Sequence, residues 1–393
     1  MPVPLGDFSQ GQVYVDVTRL FRRLRQGRLP TGVDRVCLAY VRHCRPRARP
    51  LLVEHGVGVT FSDPVSDRLF NWLLHPHTHS SMSRTLQVLL RLPFRRVPND
   101  SWVLNMGHSG LDQPRYLAWL IRKRIQLVVM AHDLIPLTHP EYCRADSTAA
   151  HERRLQTILH HARGIVSNSQ VTAEELERYA RTRQLSMPPL RVIPLGVENP
   201  PPVAETDSVS PLQAPYFLLL GTIEPRKNHA FILYLWERML REVSRGRVPH
   251  LLIIGQRGWM CDSVIHRLIH DDGIRERVTW LPHCSDGELV SYLQHAQALL
   301  FPSAVEGYGL PLLEALQQET PVLASPLPAF REIAGDIPEY LALEDEDQWL
   351  QAILDYSNSQ HPRRREQLAR MTGFIVPTWE AHFAAFRDFA MNL

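Results

Sequence analysis

Lysine is nearly missing from this chain. Only Lys123 and Lys227 occur, against 41 arginines. A lysine that persists in so strong a bias toward arginine is a candidate for chemistry needing a compact ammonium rather than a planar fork. Cysteine is scarce as well. Cys37, Cys44, Cys143, Cys261 and Cys284 are odd in number, scattered, and contain no C-x-x-C. That argues for reduced thiols in a cytoplasmic protein, and against a disulfide framework or a zinc site. No apolar run approaches the roughly 18 to 20 residues that span a bilayer. The opening stretch, MPVPLGDFSQGQ, has neither the basic flank nor the apolar segment of a secretory leader. A metal site is missing too. No Asp-x-Asp follows a strand, and Asp345-Glu346-Asp347 reads as a solvated acidic loop. His75, His77 and His79 alternate in a Pro/Thr/Ser-rich loop, without a fourth ligand or a clear geometry.

What is present suits a soluble globular protein: 393 residues, 44% hydrophobic and 21% charged. That length exceeds what one core usually organises, so two domains are expected. The net charge of +2 conceals an asymmetry. Residues 1–200 hold 27 basic and 16 acidic groups, or +11, and residues 201–393 hold the other 16 basic and 25 acidic groups, or −9. A basic half implies an anionic partner, for which phosphate, anionic lipid and nucleic acid all qualify. Charge complementarity between the two halves is the other reading.

Gln12 to Thr18 alternates and is valine-rich, which predicts the first strand. Arg19–Arg28 follows, with five arginines among Leu20, Phe21 and Leu24, and then a turn through Gly32 leads into a helix over Val36–His43. Further strands are predicted at 50–54, 102–106, 126–131, 164–167 and 190–194. Helical patterns lie between them at 114–124, 147–162 and 173–183, with Thr172 as a cap of the last. Residues 198–215 are proline-rich and aperiodic, a linker. The β/α alternation then restarts, with strands at 216–221, 250–255, 277–282, 298–301, 321–324 and 339–343. Such alternation predicts parallel sheets covered on both faces.

Two stretches of the second half carry the chemistry. In Phe301–Glu319, FPSAVEGYGLPLLEALQQE, an apolar strand ends at Pro302-Ser303. A loop Glu306-Gly307-Tyr308-Gly309-Leu310 follows, and Pro311 suits a helix start. Strand, glycine loop and helix together aim free backbone N–H groups at an anion. Glu306 and Glu314 flank the loop, eight residues apart. Neither is needed to make the turn. Earlier, a strand ends in Gly221-Thr222-Ile223-Glu224-Pro225-Arg226-Lys227-Asn228. Its two adjacent cations suit an anion.

EGYGLPLLEAL resembles, nearly residue for residue, the Glu-x7-Glu signature of family-four glycosyltransferases, which have the GT-B fold. GT-x-EPRKN resembles the donor-diphosphate loop of mannosyl- and rhamnosyl-type members, with Thr222 where an arginine is usual and Arg226 as its substitute. The resemblance covers most of the second half and, more loosely, most of the first. It implies an α/β protein with two Rossmann-like domains, whose parallel sheets face a central cleft. The first domain would span 1–197, the linker 198–215 and the second domain 216–377. A terminal helix over 378–393 would cross back to the first domain.

The implied activity is metal-independent, retaining transfer of a mannose- or rhamnose-like sugar. The donor is a nucleotide diphosphate sugar, and the acceptor is a hydroxyl of a lipid-linked or oligosaccharide glycan in cell-surface polysaccharide synthesis. No cofactor beyond that co-substrate is implied, and no nucleic acid. By resemblance, Glu306 contacts the sugar hydroxyls, while Arg226 and Lys227 neutralise the diphosphate. Glu314 holds the ribose, and Gly307, Tyr308, Gly309 and Leu310 line the sugar and diphosphate. Gly221, Thr222 and Gly255 complete the donor side. His132, after a strand, lies near the transferred sugar, and Gly32 takes the place of the acceptor and phosphate loop. Leu281–Ser285 lies where the family reads the base. Rival readings are another GT-B chemistry, epimerase or phosphorylase, and a silent nucleotide-sugar-binding protein. The basic Arg19–Arg28 and Leu86–Val97 stretches suit peripheral docking on the anionic inner face of the cell membrane. Apolar residues in the core with solvated arginines is the alternative.

Overall fold

A computed structural model describes residues 12–75, 94–199, 212 and 215–393. The described residues form two sheets. The first holds β1 (Val13–Asp16), β2 (Ala48–Glu54), β3 (Val57–Thr60), β4 (Arg95–Arg96), β5 (Trp102–Asn105), β6 (Gln126–Ala131), β7 (Ala162–Ser167) and β8 (Leu190–Val192). Their order is β4-β3-β2-β1-β5-β6-β7-β8. The second holds β9 (Tyr216–Leu220), β10 (His250–Ile254), β11 (Val278–Leu281), β12 (Leu299–Phe301), β13 (Val322–Ala324) and β14 (Glu339–Tyr340). Their order is β11-β10-β9-β12-β13-β14, parallel throughout.

Numbered within its own unit, the second sheet runs 3-2-1-4-5-6, the Rossmann order. The reason is legible in the residues. β9 reads YFLLL and is buried on nearly every position, as a strand covered by helices on both faces must be. Its Phe217 and Leu219 pack against Trp236, Ile253, Leu300 and Trp349 in one core. The first sheet has its own core, around Tyr14, Leu51, Val103, Val129 and Ile165. By contact the chain divides into two compact units. One is Met1–Pro140, Ala145–Gly196 and Thr378–Leu393; the other is Glu141–Arg144 and Val197–Pro377.

The last helix, Trp379–Ala390, therefore belongs to the first unit. Tyr40 meets His382, Phe383 and Phe386 edge-on. His382 Nδ1 donates to the Pro194 carbonyl at 2.8 Å, which leaves Nε2 to accept from the Tyr40 hydroxyl at 2.9 Å.

The structure departs from the sequence reading in four places. The first sheet carries an antiparallel edge, because β2 turns into β3 through His55 and Gly56, both with positive φ. Two such residues suit a hairpin turn, and β3 then pairs with β4. The helix expected at Val36 begins at Gly32, because Asp34 caps it: the Thr31 N–H and Oγ donate to Asp34 Oδ2 at 2.8 and 2.6 Å. The helix Gln170–Thr182 is capped by Ser169, whose Oγ accepts from Thr172 N at 3.1 Å, so Thr172 is the capped residue. Asp345 caps the helix Glu346–Tyr356 by accepting from Gln348 N, and Asp347 pairs with Arg238 at 2.6 Å, so this acidic run is structured. His77, His79, residues 86–93 and most of 198–215 lie outside the described residues.

Candidate active site

In an open α/β sheet the ligand crevice lies at the carboxyl ends of the strands where the order reverses. In the second unit that point is between β9 and β12, which are hydrogen-bonded neighbours. The loops leaving these strands are Gly221–Asn228 and Pro302–Gly309. Topology alone therefore brings together the two stretches that stand out in the sequence.

Backbone packing then fixes the loops. Gly221 has φ +142°, a conformation open to glycine. Its N–H donates to Ile254 O at 2.9 Å. A Cβ on Gly255 would lie 1.9 Å from Gly221 O, so glycine lets the β9 and β10 ends touch. Ile223 N donates to Gln256 O at 2.9 Å, stitching the two loops further. Gly309, at φ +124°, precedes the helix Leu310–Gln317, and a Cβ there would meet the Phe330 ring at 3.0 Å. Pro311 occupies the first turn of that helix.

The charged groups converge on Glu306. Lys227 Nζ pairs with Glu306 Oε1, and Arg226 pairs through NH1 with Glu306 Oε2. Ser303 Oγ donates to Glu306 Oε1 at 2.8 Å. Ala304 N donates to Arg226 O at 2.8 Å, which locks one loop onto the other. Arg226 NH2 also lies 2.6 Å from Glu224 Oε1. Lys227 Nζ sits 4.9 Å from the centre of the Phe301 ring. The Lys227 and Glu306 side chains are only 10% and 7% exposed, so these charges are withdrawn from bulk water.

Burial alone would raise the Glu306 carboxyl. Arg226 and Lys227, with hydrogen bonds from Lys227 and Ser303, outweigh it and hold the group down at about 2. Burial pushes the Lys227 ammonium down, against the pull of Glu306. Glu314, in the helix Leu310–Gln317, is 7% exposed, and Tyr308 and Leu310 are buried beside it. Gly307 and Thr222 are half-buried. Ser285, in the stretch compared to a base-reading loop, caps the helix Asp286–His295 in a capping box with Glu288.

The first unit has its own switch point, between β1 and β5. Asp16, at the end of β1, accepts from Thr18 N at 2.8 Å and from Asn105 Nδ2 at 3.1 Å. His132, just past β6, is buried. Its Nε2 lies 2.6 Å from the Met106 carbonyl, which can only accept, so Nε2 carries the proton. His108 does the same toward Met130 O, and the two rings lie 5.3 Å apart. Burial depresses both imidazoles, so both are neutral near pH 7. Gly32 is exposed at the start of its helix. That helix end is already served by Asp34, which pairs with Arg19 at 2.7 Å and Arg23 at 2.8 Å.

The structure thus brings Arg226, Lys227 and Glu306 into contact within the second unit, with Gly221, Thr222, Gly307, Tyr308, Gly309, Leu310 and Glu314 on the same loops and helix, and Gly255, after β10, packed against Gly221. His132 and Gly32 belong to the first unit. Sequence reasoning passes over three participants. Ser303 and Glu224 stand inside the quoted motifs without a role, and His108 has no motif at all. Among the described residues no group of three or more metal-ligating side chains occurs, and no helix is long and apolar enough to cross a membrane.

The model for the family "Glycosyl transferases group 1" matches residues 204–370. The serotype-specific mannosyltransferase WbdA of Escherichia coli is 32% identical over 251 residues, 60% of this chain and 30% of that protein. The O-antigen chain mannosyltransferase B of Escherichia coli is 30% identical over 252 residues, 58% of this chain and 64% of that protein. The chain thus spans 30% of the length of the one relative and 64% of the other. The crystal structure of Anabaena Alr3699/HepE in complex with UDP and glucose superposes with a TM-score of 0.68 at 13% identity, over 98% of this chain and 100% of that one. The fold is GT-B, and the Arg226–Lys227–Glu306 cluster lies within the matched residues.

Proposed function

We propose that this protein transfers a mannose-like sugar from a nucleotide diphosphate sugar to a hydroxyl of a glycan or lipid-linked acceptor in polysaccharide synthesis. The observation that supports this most is the convergence of two cations on one ionised carboxylate at the Rossmann switch point. Arg226 and Lys227 take the diphosphate, whose negative charge grows as the glycosidic bond breaks. Glu306, released from them, accepts from the sugar hydroxyls. Glu314 holds the ribose. Backbone N–H groups of Gly307 to Leu310, at the start of the helix Leu310–Gln317, face the phosphates. Gly221, Thr222 and Gly255 shape the floor of the donor site, and His132 serves the transferred sugar. The configuration is retained, with the leaving phosphate as base. The cations stand where other enzymes use a divalent ion.

The test is turnover of a nucleotide-sugar panel, GDP-mannose included, with and without EDTA, reading the product anomer by NMR. Release of nucleoside diphosphate, undiminished by EDTA and with the donor anomer retained in the product, is expected. Binding without turnover indicates a silent binding protein. An altered sugar without nucleotide release indicates an epimerase, and turnover only with added phosphate indicates a phosphorylase. Any of these overturns the reading.

A further inference from the structure

Glu224 is 4% exposed, a carboxylate almost wholly withdrawn from water. Such a charge persists only if a cation compensates it. Its Oε1 lies 2.6 Å from Arg226 NH2. The other terminal nitrogen of the same guanidinium, NH1, pairs with Glu306. Two carboxylates therefore lie at the two terminal nitrogens of one planar fork, Glu306 hydrogen-bonded to NH1 and Glu224 in ion-pair contact with NH2. The backbone enforces the placement. Glu224 is extended ahead of the short turn Pro225–Lys227, and its carbonyl accepts from Lys227 N at 3.0 Å. Burial pushes the Glu224 carboxyl up, and Arg226 and Lys227 pull it back.

Charge counting gives these contacts a consequence. Glu224 and Glu306 balance Arg226 and Lys227, so the four together are neutral. A diphosphate that draws on both cations competes with Glu306, which touches both. The Glu224 carboxylate pairs with Arg226 at NH2 rather than at the NH1 that holds Glu306, and stays where it is. The bound nucleotide then meets two cations and one remaining carboxylate.

We propose that Glu224 is a positioning residue of the donor site: it orients the Arg226 guanidinium and keeps one negative charge beside the two cations, so that the nucleoside diphosphate product is not held too tightly to leave. This rests on the glycosyltransferase reading above. Without that carboxylate, the more highly charged product gains more attraction than the donor.

The test is calorimetric titration of the full chain with UDP and with GDP, in wild type, E224Q and E224D, alongside steady-state turnover. Gln keeps the shape and an acceptor oxygen but loses the charge. E224Q is expected to bind the preferred nucleotide about tenfold more tightly, with kcat and KM falling together. Asp keeps the charge but falls short of Arg226. E224D is expected to bind nucleotide within about twofold of wild type and to lose kcat at unchanged KM. A purely structural Glu224 cannot yield tighter binding, since structural loss only weakens it. E224Q with wild-type melting and equal or weaker nucleotide affinity overturns the inference alone. Wild type that binds neither UDP nor GDP overturns the donor site and the inference with it.

Discussion

The two units meet the same architectural demand with opposite electrostatics. Each is a largely parallel sheet whose order reverses once, and each gathers its polar groups at that reversal. In the second unit the gathered groups are formal charges: Glu224, Arg226, Lys227 and Glu306, paired with one another and mostly buried. In the first unit they are largely neutral: two imidazoles donating to backbone carbonyls and an Asp–Asn pair. Of the charges around them, Asp34 pairs with Arg19 and Arg23 at a helix start, while Asp133 and Arg154 act on the imidazoles. A buried ion pair exchanges water for protein charges and is ready to exchange them again for a charged ligand. A neutral hydrogen-bonded site suits an uncharged, hydroxyl-bearing one. Under the proposed function, the charged site of the second unit is the one suited to a donor diphosphate.

The strongest way to break this comparison is to remove the cations. Lys227→Ala and Arg226→Ala are each expected to lower kcat/KM about ten- to hundredfold, because a hydrogen bond to a charged group contributes roughly 1.5 to 3 kcal/mol. Lys227→Ala should melt cooperatively, with Arg226 still on both carboxylates, and Arg226→Ala should melt at a lower Tm because the buried Glu224 loses its partner. Transfer at the wild-type rate in both would remove the diphosphate assignment and reduce the cluster to a structural one.

The loops that hold those cations depend on glycine in a way the first unit's site does not. Gly255→Ala places a Cβ 1.9 Å from Gly221 O, backbone against backbone, with no flexible side chain to yield. A cost of about 1 to 3 kcal/mol is expected, read as a lower Tm together with weaker nucleotide binding. Gly32→Ala, at an exposed position on the first unit, is expected to leave both unchanged. Equal sensitivity at the two glycines would mean that the close approach of the β9 and β10 ends does not organise the site.

Acid should separate the units. In the first, burial lowers His151 and His382 to about 4. An unfolded imidazole titrates near 6.5, so between about pH 6.5 and 4 the unfolded chain binds more protons, and stability falls as pH falls. Asp16, raised to about 7 by burial, works the other way over about pH 7 to 4, because its folded form binds the extra proton. In the second unit Glu306 is held at about 2, so the stability of its ion pairs is lost only between about pH 4.5 and 2. His229, lowered to about 3 by burial and by Lys227, is the exception there. Hydrogen exchange at pH 7 and pH 5 should show protection lost around His151 and His382, and around His229 beside Lys227, with Ser303–Glu306 still protected. Equal loss in both regions would contradict the contrast.

The sequence exposes what depends on short-range order and hides what depends on neighbours. EGYGLPLLEAL and GT-x-EPRKN name Glu306, Arg226 and Lys227, because each string resembles a known family's motif over many adjacent residues. Nothing in the chain says that the Lys227 ammonium and the Glu306 carboxylate meet, for that follows from β9 and β12 being neighbours. Ser303 is invisible for the same reason. Gly32 takes its place as an acceptor and phosphate loop from the resemblance, and nothing in the sequence signals that Asp34, two residues on, binds Thr31 at that helix start. The antiparallel edge escapes because His55-Gly56 is an uncommon spelling of a tight turn.

The smallest effect concerns the basic first unit. By its pattern, Arg19–Arg28 is fit to lie in a membrane surface with its apolar residues inserted. In the helix Thr18–Arg25, however, Leu20, Phe21 and Leu24 are buried in the unit's own core. Arg19 and Arg23 pair with Asp34, and Arg22 donates to the Val53 carbonyl at 2.8 Å. This segment therefore has no apolar face to insert, and what it offers an anionic surface is charge alone, chiefly from the exposed Arg25 and Arg28. Each contributes on the order of 1 kcal/mol near such a surface. Co-sedimentation with phosphatidylglycerol vesicles at low salt is expected to drop modestly in an Arg25→Glu, Arg28→Glu double variant, and to vanish near about 0.5 M salt, where the Debye length is a few ångströms. Leu24→Ala is expected instead to cost about 2 to 5 kcal/mol of stability and leave vesicle binding alone. Vesicle binding that survives high salt and falls with Leu24→Ala in a still-folded protein would restore the inserted helix, and would make the first unit's contrast with the second one of surface rather than of site.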